Sequence, residues 1–304
     1  MSETTSTDLG VTPAGRGAPG SGPSDDARPI LELRGVNKSF GPVHVLHDVS
    51  FAAYAGEVTA LVGDNGAGKS TLVKCIGGIH PIDSGEYLFE GKPVNVHSPR
   101  DAAALGIEIV YQDLALCDNL DIVQNMFLGR ERKNGIVLDE DTMEQMAAKT
   151  LQGLSVRTVK SLRQPVSSLS GGQRQTVAIA KAVLWNSKVV ILDEPTAALG
   201  VAQTAQVLEL VRRLADQGLA VVLISHNMND VFAVSDRIAA LYLGRMAAQV
   251  KASDVTHAQV VELITAGRSG DLGLTNGNGG AEGKEAPLAP LWPRTAPPPR
   301  SLRR

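Results

Sequence analysis

The sequence has few cysteines and no long apolar run, and each shortage argues against a class of protein. Cys75 and Cys117 are the two cysteines among 304 residues, and neither has a CxxC neighbour, so we expect no disulfide scaffold and no zinc ribbon. No stretch approaches the ~20 apolar residues that cross a bilayer. The first residues also lack the basic segment and apolar core of a secretory signal. The sequence thus predicts a cytosolic protein that meets a membrane only through a partner.

Excess positive charge is missing as well. The formal net charge is −3 at pH 7, whereas a dedicated nucleic-acid binder would usually be basic. We therefore expect no nucleic-acid partner, although this charge does not exclude a small basic patch. The length and the 43% hydrophobic content suffice for one large domain or two small ones.

Large apolar residues are nearly absent from two end segments. Met1–Pro29 is rich in Gly, Pro, Ser and Thr, and Gly267–Arg304 contains Gly-rich and Pro-rich blocks. Such segments bury too little apolar surface to offset the entropy lost when they become ordered. We predict disordered tails at 1–29 and 267–304 and one folded domain at 30–266.

Within that domain, strand patterns alternate with helix patterns. Strands are predicted at Ile30–Val36, His44–Ala52, Glu57–Val62, Ile107–Tyr111, Lys188–Leu192 and Leu219–Ile224. Helices are predicted at Lys69–Ile76, after Ser98 with Pro99 in the first turn, and at Asp139–Leu154, Gly172–Trp185, Ala202–Asp216 and Asn227–Val234. Strands separated by crossover helices imply a mainly parallel sheet, with the first two strands near an edge. A helical insert is expected at about 113–186.

A glycine-rich segment joins a predicted strand to a predicted helix. It reads Gly63-Asp64-Asn65-Gly66-Ala67-Gly68-Lys69-Ser70, which is the spacing and the context of a phosphate-binding loop. Glycines let backbone N–H groups curl around phosphate oxygens, and the helix N-terminus adds partial positive charge. We expect Lys69 to contact the β and γ phosphates of a nucleoside triphosphate and the Ser70 hydroxyl to bind Mg²⁺. Phosphate chemistry does not demand the side chains of Asp64 and Asn65.

Two carboxylates end the apolar strand at 189–192. Ligands of open α/β sheets bind at the carboxyl ends of the strands. We expect Asp193 to hold Mg²⁺ through water and Glu194 to polarise the water that attacks the terminal phosphate. His226 follows the next strand through Ser225 and is placed to sense the γ-phosphate.

Two further residues are candidates because of their positions. Gln112 ends the strand at 107–111, just before the helical insert, so its amide could contact Mg²⁺ or water and move with the insert. Phe40 precedes Gly41 on the first hairpin and could stack on an adenine, although an aromatic residue on a strand more often packs in a core. The remaining histidines lack such a context, and we assign them to the surface or to packing.

The order of these motifs, with Leu169-Ser170-Gly171-Gly172-Gln173 shortly before the Asp-Glu strand, indicates a family. Over about 30–266, the chain resembles the nucleotide-binding subunit of ABC (ATP-binding cassette) transporters. The resemblance implies ATP and Mg²⁺ as cofactors. It also implies an α/β fold: a P-loop NTPase core with a mainly parallel sheet, an antiparallel β edge subdomain and a helical subdomain at about 113–186.

The resemblance also extends the list of site residues. Phe40 matches the A-loop, Gly63–Thr71 the Walker A loop, Gln112 the Q-loop, Val189–Glu194 the Walker B strand and His226 the switch histidine. The implied nucleotide contacts are Phe40, Gly63, Asn65, Gly66, Ala67, Gly68, Lys69, Ser70, Thr71, and the signature residues Ser170, Gly171, Gly172 and Gln173. The implied Mg²⁺ ligands are Ser70, Gln112 and Asp193, and the implied catalytic residues are Glu194, His226 and Gln112.

The signature segment makes physical sense only with a partner. It starts a predicted helix, which is a second anion site in a chain that already has a phosphate loop. The resemblance implies a head-to-tail homodimer in which each ATP contacts the Walker A loop of one subunit and the signature of the other. One residue departs from the family pattern: Gly200 stands where most members carry Asp in the D-loop, so the contact made by that carboxylate is absent.

Three segments resemble the importers of ribose, xylose and fructose. They are Thr196–Gly200, Gly106–Asp113 and Asn125–Arg130. With one cassette, the chain resembles the single-cassette, fructose-type members. The resemblance implies an ATPase that energises import of a simple sugar through an integral membrane permease, with an extracytoplasmic sugar-binding protein as an indirect partner. Such a subunit would lie peripherally on the cytoplasmic face of the cell membrane.

Other functions stay open at this point. A soluble ABC ATPase that acts on DNA or ribosomes would usually carry coiled-coil inserts, zinc modules or duplicated cassettes, and the sequence has no sign of these. A non-hydrolysing binding module conflicts with the intact Lys69, Asp193 and Glu194. A transporter of a non-sugar substrate also remains possible, because specificity lies in the permease and the binding protein.

Overall fold

The computed structural model describes residues 28–154 and 161–268 of the chain. The tails predicted at 1–29 and 267–304 fall outside these residues, apart from two positions at each inner end. Gly267 ends the last described helix in a left-handed conformation, with φ of 71°. In the described part of the chain, no helix combines the length and the apolar composition that a membrane span requires.

A six-stranded sheet forms the centre of the fold, in the order β12-β11-β3-β10-β9-β6. Its strands are β3 (Val58–Val62), β6 (Ile107–Val110), β9 (Val189–Asp193), β10 (Ala220–Ile224), β11 (Arg237–Tyr242) and β12 (Arg245–Lys251). Five of them run parallel to their neighbours, and β12 pairs antiparallel with β11. The mainly parallel sheet expected from the sequence is therefore confirmed.

The central strands are apolar throughout because both faces of the sheet are covered. Every residue of β3 and β10 is buried. Along β9, Val190 and Leu192 pack into one core cluster, whereas Val189 and Ile191 pack into the other. This alternation is the period of two that a strand imposes on its side chains.

A second, antiparallel sheet has the order β2-β1-β4-β5. It comprises β1 (Leu31–Phe40), β2 (Val43–Ala53), β4 (Ser84–Phe89) and β5 (Lys92–Pro93). Helix α1 (Lys69–Ile76) shares one core cluster with Leu33 and Phe51 of this sheet and with Ile191 of the central sheet. The start of α1 is therefore fixed by packing against both sheets.

Besides a 3₁₀ turn at Val166–Ser168, the described residues of the segment expected to be a helical insert (113–154 and 161–186) form three α-helices and a small hairpin. They are α3 (Ile122–Phe127), α4 (Glu140–Gly153), α5 (Gly171–Val183) and the strands β7 (Lys133–Asn134) and β8 (Val137–Leu138). Asp121 caps α3 and Ser170 caps α5, each in a capping box with a glutamine three residues later. The sequence patterns do not predict the hairpin, whose turn residue Ile136 is fully exposed.

The remaining helices flank the central sheet. They are α2 (Pro99–Leu105), α6 (Val201–Asp216), α7 (Met228–Val234) and α8 (His257–Ala266). Helix α2 begins after Ser98 with Pro99 in its first turn, as predicted, and Asp101 completes the cap. Together with the two sheets and the helical segment, these helices confirm the predicted fold class: an α/β core, an antiparallel edge and a helical subdomain.

Candidate functional site

Four neighbouring parallel strands end at the same edge of the central sheet, and each is followed by residues singled out in the sequence. Strand β3 leads into the loop at 63–68, β9 into Glu194, β10 into Ser225 and His226, and β6 into Gln112. The register pairs Ile224 with both Leu61 and Asp193, and Val110 with Leu192. The fold therefore brings the predicted site residues of these strands to one carboxyl edge, where α/β sheets bind ligands.

The loop at 63–68 needs its glycines for steric reasons. A Cβ on Gly63 would lie 2.4 Å from the carbonyl oxygen of Leu241 in β11. Gly68 caps α1 with φ of 103°, and Gly66 has φ of 83° with open space where a Cβ would stand. The backbone can therefore approach a ligand closely at this loop.

Backbone contacts from β11 and β12 support the same loop. The N–H of Gly244, in the turn between these strands, donates to the carbonyl of Ala67 at 2.9 Å.

Lys69 extends from the first position of α1, and its Nζ donates to the carbonyls of Gly63 at 2.5 Å and Asp64 at 3.1 Å. The lysine ammonium thus lies over the loop from which α1 starts.

Charged groups at this edge act on one another in a partly desolvated environment. Desolvation lowers the pKa of Lys69, and the carboxylates of Glu194, Asp64 and Asp193 oppose that shift. Desolvation also raises the pKa of Asp193; Glu194 adds to this shift, and Lys69 and Lys74 oppose it. An anionic ligand near Lys69 and a cation near Asp193 would therefore each relieve an unfavourable burial of charge.

Glu194 and His226 form a close pair. Nδ1 of His226 lies 2.8 Å from Oε2 of Glu194, with side-chain exposures of 76% and 15%. Glu194 has φ of 50°, a left-handed conformation that costs energy for a non-glycine residue. Its N–H donates to the carbonyl of Ile224 at 3.0 Å, which holds the turn after β9 against the end of β10.

The two residues nominated by position are both exposed. Gln112 follows the end of β6, beside Tyr111, whose pKa is raised by desolvation and by Asp193. Phe40 is 41% exposed at the end of β1. Its ring contacts His80 edge-on, with centroids 4.9 Å apart, and Nζ of Lys38 lies 5.4 Å from its centroid. The phenyl ring is therefore held in place while part of it stays open to a ligand.

The signature segment starts α5 and lies beside the start of α6. The backbone N–H of Ser170 donates to Oε1 of Gln173 at 2.8 Å. A Cβ on Gly171 would lie 3.2 Å from Leu199, and one on Gly172 would lie 3.2 Å from Gln203. Ser170 and Gly171 are exposed. These glycines permit close packing between the two helix starts.

The start of α6 has two unusual features. Gly200 caps the helix without a side chain of its own, and its N–H donates to Oε1 of Gln203 at 3.3 Å. Val201 is 91% exposed although it is apolar.

The donor set at the sheet edge suits magnesium better than a metal held by protein alone. In residues 28–154 and 161–268, no group of three or more His, Cys, Asp or Glu side chains could hold a metal ion. Asp193, Ser70 and Gln112 offer one carboxylate, one hydroxyl and one amide oxygen. Mg²⁺ prefers oxygen ligands and takes the rest of its shell from water and substrate phosphates, so these residues fit that ion.

The structure reveals one residue near the site that the sequence motifs do not identify, Asp230. Oγ1 of Thr196 donates to Oδ2 of the buried Asp230 at 2.7 Å, and Nδ2 of Asn227 donates to its Oδ1 at 3.1 Å. In the sequence, Asp230 is a single acid within the otherwise largely apolar helix α7, and it matches no motif. His80, which the sequence analysis assigns to the surface or to packing, makes a packing contact with the ring of Phe40.

Comparison with known proteins places the chain in a family. The family model described as ABC transporter matches residues 46–197. The chain is 48% identical over 244 residues to the fructose import ATP-binding protein FrcA of Rhizobium meliloti, which covers 78% of this chain and 94% of the relative. It is 46% identical over 245 residues to the xylose/arabinose import ATP-binding protein XylG of Sulfolobus acidocaldarius, which covers 81% and 97%.

Two further similarities concern chain length and fold. The ribose import ATP-binding protein RbsA 2 of Escherichia coli O157:H7 is 36% identical over 247 residues, and the match covers 81% of this chain but 48% of that relative. A solved nucleotide-free ATP-binding cassette from an ABC transporter is similar with a TM-score of 0.67 and 26% identity, over 74% of this chain and 92% of the other. From the family match, the near-complete coverage of two relatives and the shared fold, we conclude that the chain belongs to the ABC transporter family.

Proposed function

We propose that this chain binds and hydrolyses ATP to energise the import of a simple sugar through a membrane permease. The geometric observation that carries ATP hydrolysis is the Glu194–His226 pair at the sheet edge that also holds the phosphate loop. The support for the cargo class is the similarity to import proteins for fructose and for xylose or arabinose over almost their whole length.

Nucleotide binding is assigned to the loop and the residues around it. Backbone N–H groups from Gly63 to Gly68, together with Ser70 and Thr71 at the start of α1, face the phosphates, where the helix terminus favours negative charge. Lys69 exchanges its loop carbonyls for β and γ phosphate oxygens. Phe40 stacks on the adenine with the part of its ring that is open to solvent.

Mg²⁺ is assigned to Ser70, Gln112 and Asp193. When bound, the ion neutralises charge that develops on the β and γ phosphate oxygens. Asp193 gains from this arrangement because its carboxylate is partly desolvated in the protein alone. Gln112 adds an amide oxygen from the end of the strand that leads into the helical segment. Its contact with the ion therefore couples nucleotide binding to the position of that segment.

Hydrolysis is assigned to Glu194 and His226. Glu194 accepts a proton from the attacking water, while its contact with His226 orients the imidazole toward the terminal phosphate. The high exposure of His226 leaves its other ring nitrogen open to a ligand. Phosphoryl transfer depends mostly on positioning and on charge stabilisation, so this pair supplies the alignment of the water.

The full site needs a second copy of the chain. Ser170, Gly171, Gly172 and Gln173 start a helix whose first N–H groups suit an anion. In the proposed homodimer, this segment of one subunit contacts the γ-phosphate held by the loop of the other, and a two-fold axis makes the sites equivalent. Val201, exposed beside the signature, is then covered by the partner.

The remaining partners follow from the transport role. The chain docks peripherally on an integral permease at the cytoplasmic face of the membrane, and an extracytoplasmic sugar-binding protein signals to it through that permease. ATP binding closes the dimer and hydrolysis reopens it, a two-state switch that differential ligand contacts drive.

The proposed function predicts sugar-dependent ATPase activity. We expect purified chain, reconstituted in vesicles with its permease, to hydrolyse ATP faster when sugar-loaded binding protein is added. Phosphate release is the measurement, and sugar-free binding protein is the control. An unchanged rate with every sugar-loaded binding protein would contradict sugar import, and binding of the chain to ribosomes or DNA but not to the membranes would favour a soluble ATPase.

Replacing Lys69 with alanine is expected to weaken ATP binding strongly. The change removes a cation that approaches the phosphates and leaves the loop backbone in place, so affinity should fall by roughly 10²-fold. Fluorescent ATP analogues measure the affinity, and circular dichroism checks the fold. Lys149→Ala, at an exposed position on α4, serves as the matched control and should bind ATP as the wild type does; equal affinity for both variants would remove Lys69 from its role.

A further inference from the structure

Asp230 is a buried carboxyl group that none of the assigned roles uses. It lies in the first turn of α7 and is 6% exposed. Burial of an acidic side chain is costly unless hydrogen-bond donors compensate for the lost water. Its two partners therefore matter, because they explain why an acid is tolerated at this position.

The two donors come from the two segments that carry the proposed hydrolytic pair. Oγ1 of Thr196, two residues after Glu194, donates to Oδ2 of Asp230 at 2.7 Å. Nδ2 of Asn227, the residue after His226, donates to Oδ1 of Asp230 at 3.1 Å. Each carboxyl oxygen is thus bound to a different strand end.

These contacts close a ring. One part of this ring is the direct contact between Nδ1 of His226 and Oε2 of Glu194, which are 2.8 Å apart. The rest of the ring runs through the backbone from Glu194 to Thr196 and then through the two hydrogen bonds of Asp230 to Asn227. The peptide bond between Asn227 and His226 completes it. Glu194 and His226 are therefore joined twice, directly through their side chains and indirectly through Asp230.

Asn227 is itself held at three points. Its Oδ1 accepts the N–H of Asn229 at 3.0 Å, which caps α7, and its backbone N–H donates to Oγ of the buried Ser225 at 3.1 Å. The amide group that contacts Asp230 therefore cannot rotate freely. Asp230 is therefore hydrogen-bonded to a rigid segment next to His226.

The opposite side of the ring contains strained backbone. Glu194 has φ of 50° and Ala198 has φ of 61°, and such conformations persist only when surrounding contacts fix them. Thr196, which donates the hydrogen bond to Asp230, lies between Glu194 and Ala198 in the chain. This hydrogen bond is a contact able to hold the turn after β9 in the shape that aims Glu194.

We propose that Asp230 is a positioning residue that keeps Glu194 and His226 in register during turnover, acting through Thr196 and Asn227. This inference rests on the proposed roles of Glu194 and His226 in hydrolysis. Asp230 itself is assigned no contact with the nucleotide. Its loss should therefore change the rate of the chemical step and leave nucleotide affinity in place.

Asp230→Asn tests the proposal with little change in volume. The new amide can accept one of the two hydrogen bonds, but its NH₂ group faces a second donor, so the ring opens on one side. We expect the kcat of basal ATP hydrolysis to fall about tenfold and the KM for ATP to stay within about twofold. Thr196→Val removes the same hydrogen bond and should lower kcat to a similar extent, whereas Thr196→Ser keeps the hydroxyl and should retain most of the wild-type kcat. The double variant Thr196→Val, Asp230→Asn should be little slower than either single variant.

Asp236→Asn is the matched control at the other end of α7. Asp236 also accepts two hydrogen bonds, from the N–H of Val58 at the start of β3 and from Nη1 of Arg212 on α6, both at 2.7 Å. We expect this variant to melt at a lower temperature while the folded protein keeps its kcat. Thermal unfolding of all variants by circular dichroism separates loss of fold from loss of rate.

Two outcomes would overturn the proposal. One is a wild-type kcat for folded Asp230→Asn. The other is a loss of activity in Asp230→Asn that the fraction of unfolded protein accounts for in full, because that loss would make the residue structural only. Basal hydrolysis is the readout here, whereas the transport role is tested by the response to sugar, so the two can fail separately.

Discussion

Glu194→Gln should lower ATP turnover by roughly 10²–10⁴-fold, the contribution typical of a positioned general base. The amide keeps the size of the side chain and can still hydrogen-bond to His226, but it cannot accept a proton from water. ATP binding should persist, because Lys69 and the loop at 63–68 are untouched. With hydrolysis blocked and binding intact, the variant should accumulate as an ATP-dependent dimer.

Phosphate release measures the turnover, and size-exclusion chromatography with light scattering measures the dimer. Glu209→Gln makes the same chemical change at a side chain that is 71% exposed on α6 and paired with Arg213, so its turnover should match the wild type. Substantial hydrolysis by Glu194→Gln would remove Glu194 from its role as base. A variant that is inactive and also monomeric with ATP would contradict the proposed closure by ATP.

Ser170→Arg should abolish hydrolysis while each chain still binds ATP. In the proposed homodimer, the arginine places a long side chain where the signature of one subunit approaches the γ-phosphate held by its partner. Losing one preorganised donor to the transferring group costs roughly 10²–10³-fold, and the added bulk also opposes closure. Ser167→Arg introduces the same side chain three residues earlier at an exposed position and should retain activity.

Mixing two inactive variants gives the sharper test of a shared site. A dimer of one Lys69→Ala chain and one Ser170→Arg chain has both defects in one site and none in the other. The mixture should therefore hydrolyse ATP faster than either variant alone. If each chain completes its own site, mixing restores nothing, and a strictly monomeric preparation at full activity would lead to the same conclusion.

Local signals in the sequence predicted most elements around the site. Helix α1 begins at Lys69 and ends at Ile76 as predicted, because Gly68 caps it in a left-handed conformation that glycine adopts readily. Helix α2 begins after Ser98 for the same kind of reason, since a capping residue followed by proline has few alternatives. Apolar runs gave β3, β9 and β10 to within one residue.

Elements without such signals were not predicted. The hairpin at 133–138 has strands of two residues and an exposed turn, so it presents no apolar period. Strands β4, β5, β11 and β12 were also omitted, together with α8. Two of these strands depend on partners distant in the sequence: β4 pairs with β1, and β11 pairs with β3, while β5 and β12 pair in turn with β4 and β11. Pairing of this kind is tertiary information that a local pattern does not contain.

The candidate site also has a part that local sequence patterns predict and a part that depends on tertiary contacts. The glycine spacing, the Asp-Glu strand end and the signature can each be recognised locally, and parallel topology implies that they meet at one edge. The contact between Glu194 and His226 depends on β9 and β10 being neighbours, which the sequence does not state. Asp230 was missed because a single acid in a short helix has no motif, and only its buried contacts to Thr196 and Asn227 give it significance.

The contact of Gly63 with Leu241 has a consequence for synthesis on the ribosome. The phosphate loop appears early in the chain, yet its shape depends on the backbone of β11 and on Gly244, about 180 residues later. A growing chain that lacks those residues has the loop sequence without the support that shapes it. ATP should therefore not bind to the nascent N-terminal portion, and nucleotide should begin to stabilise the protein only after β11 has joined the sheet.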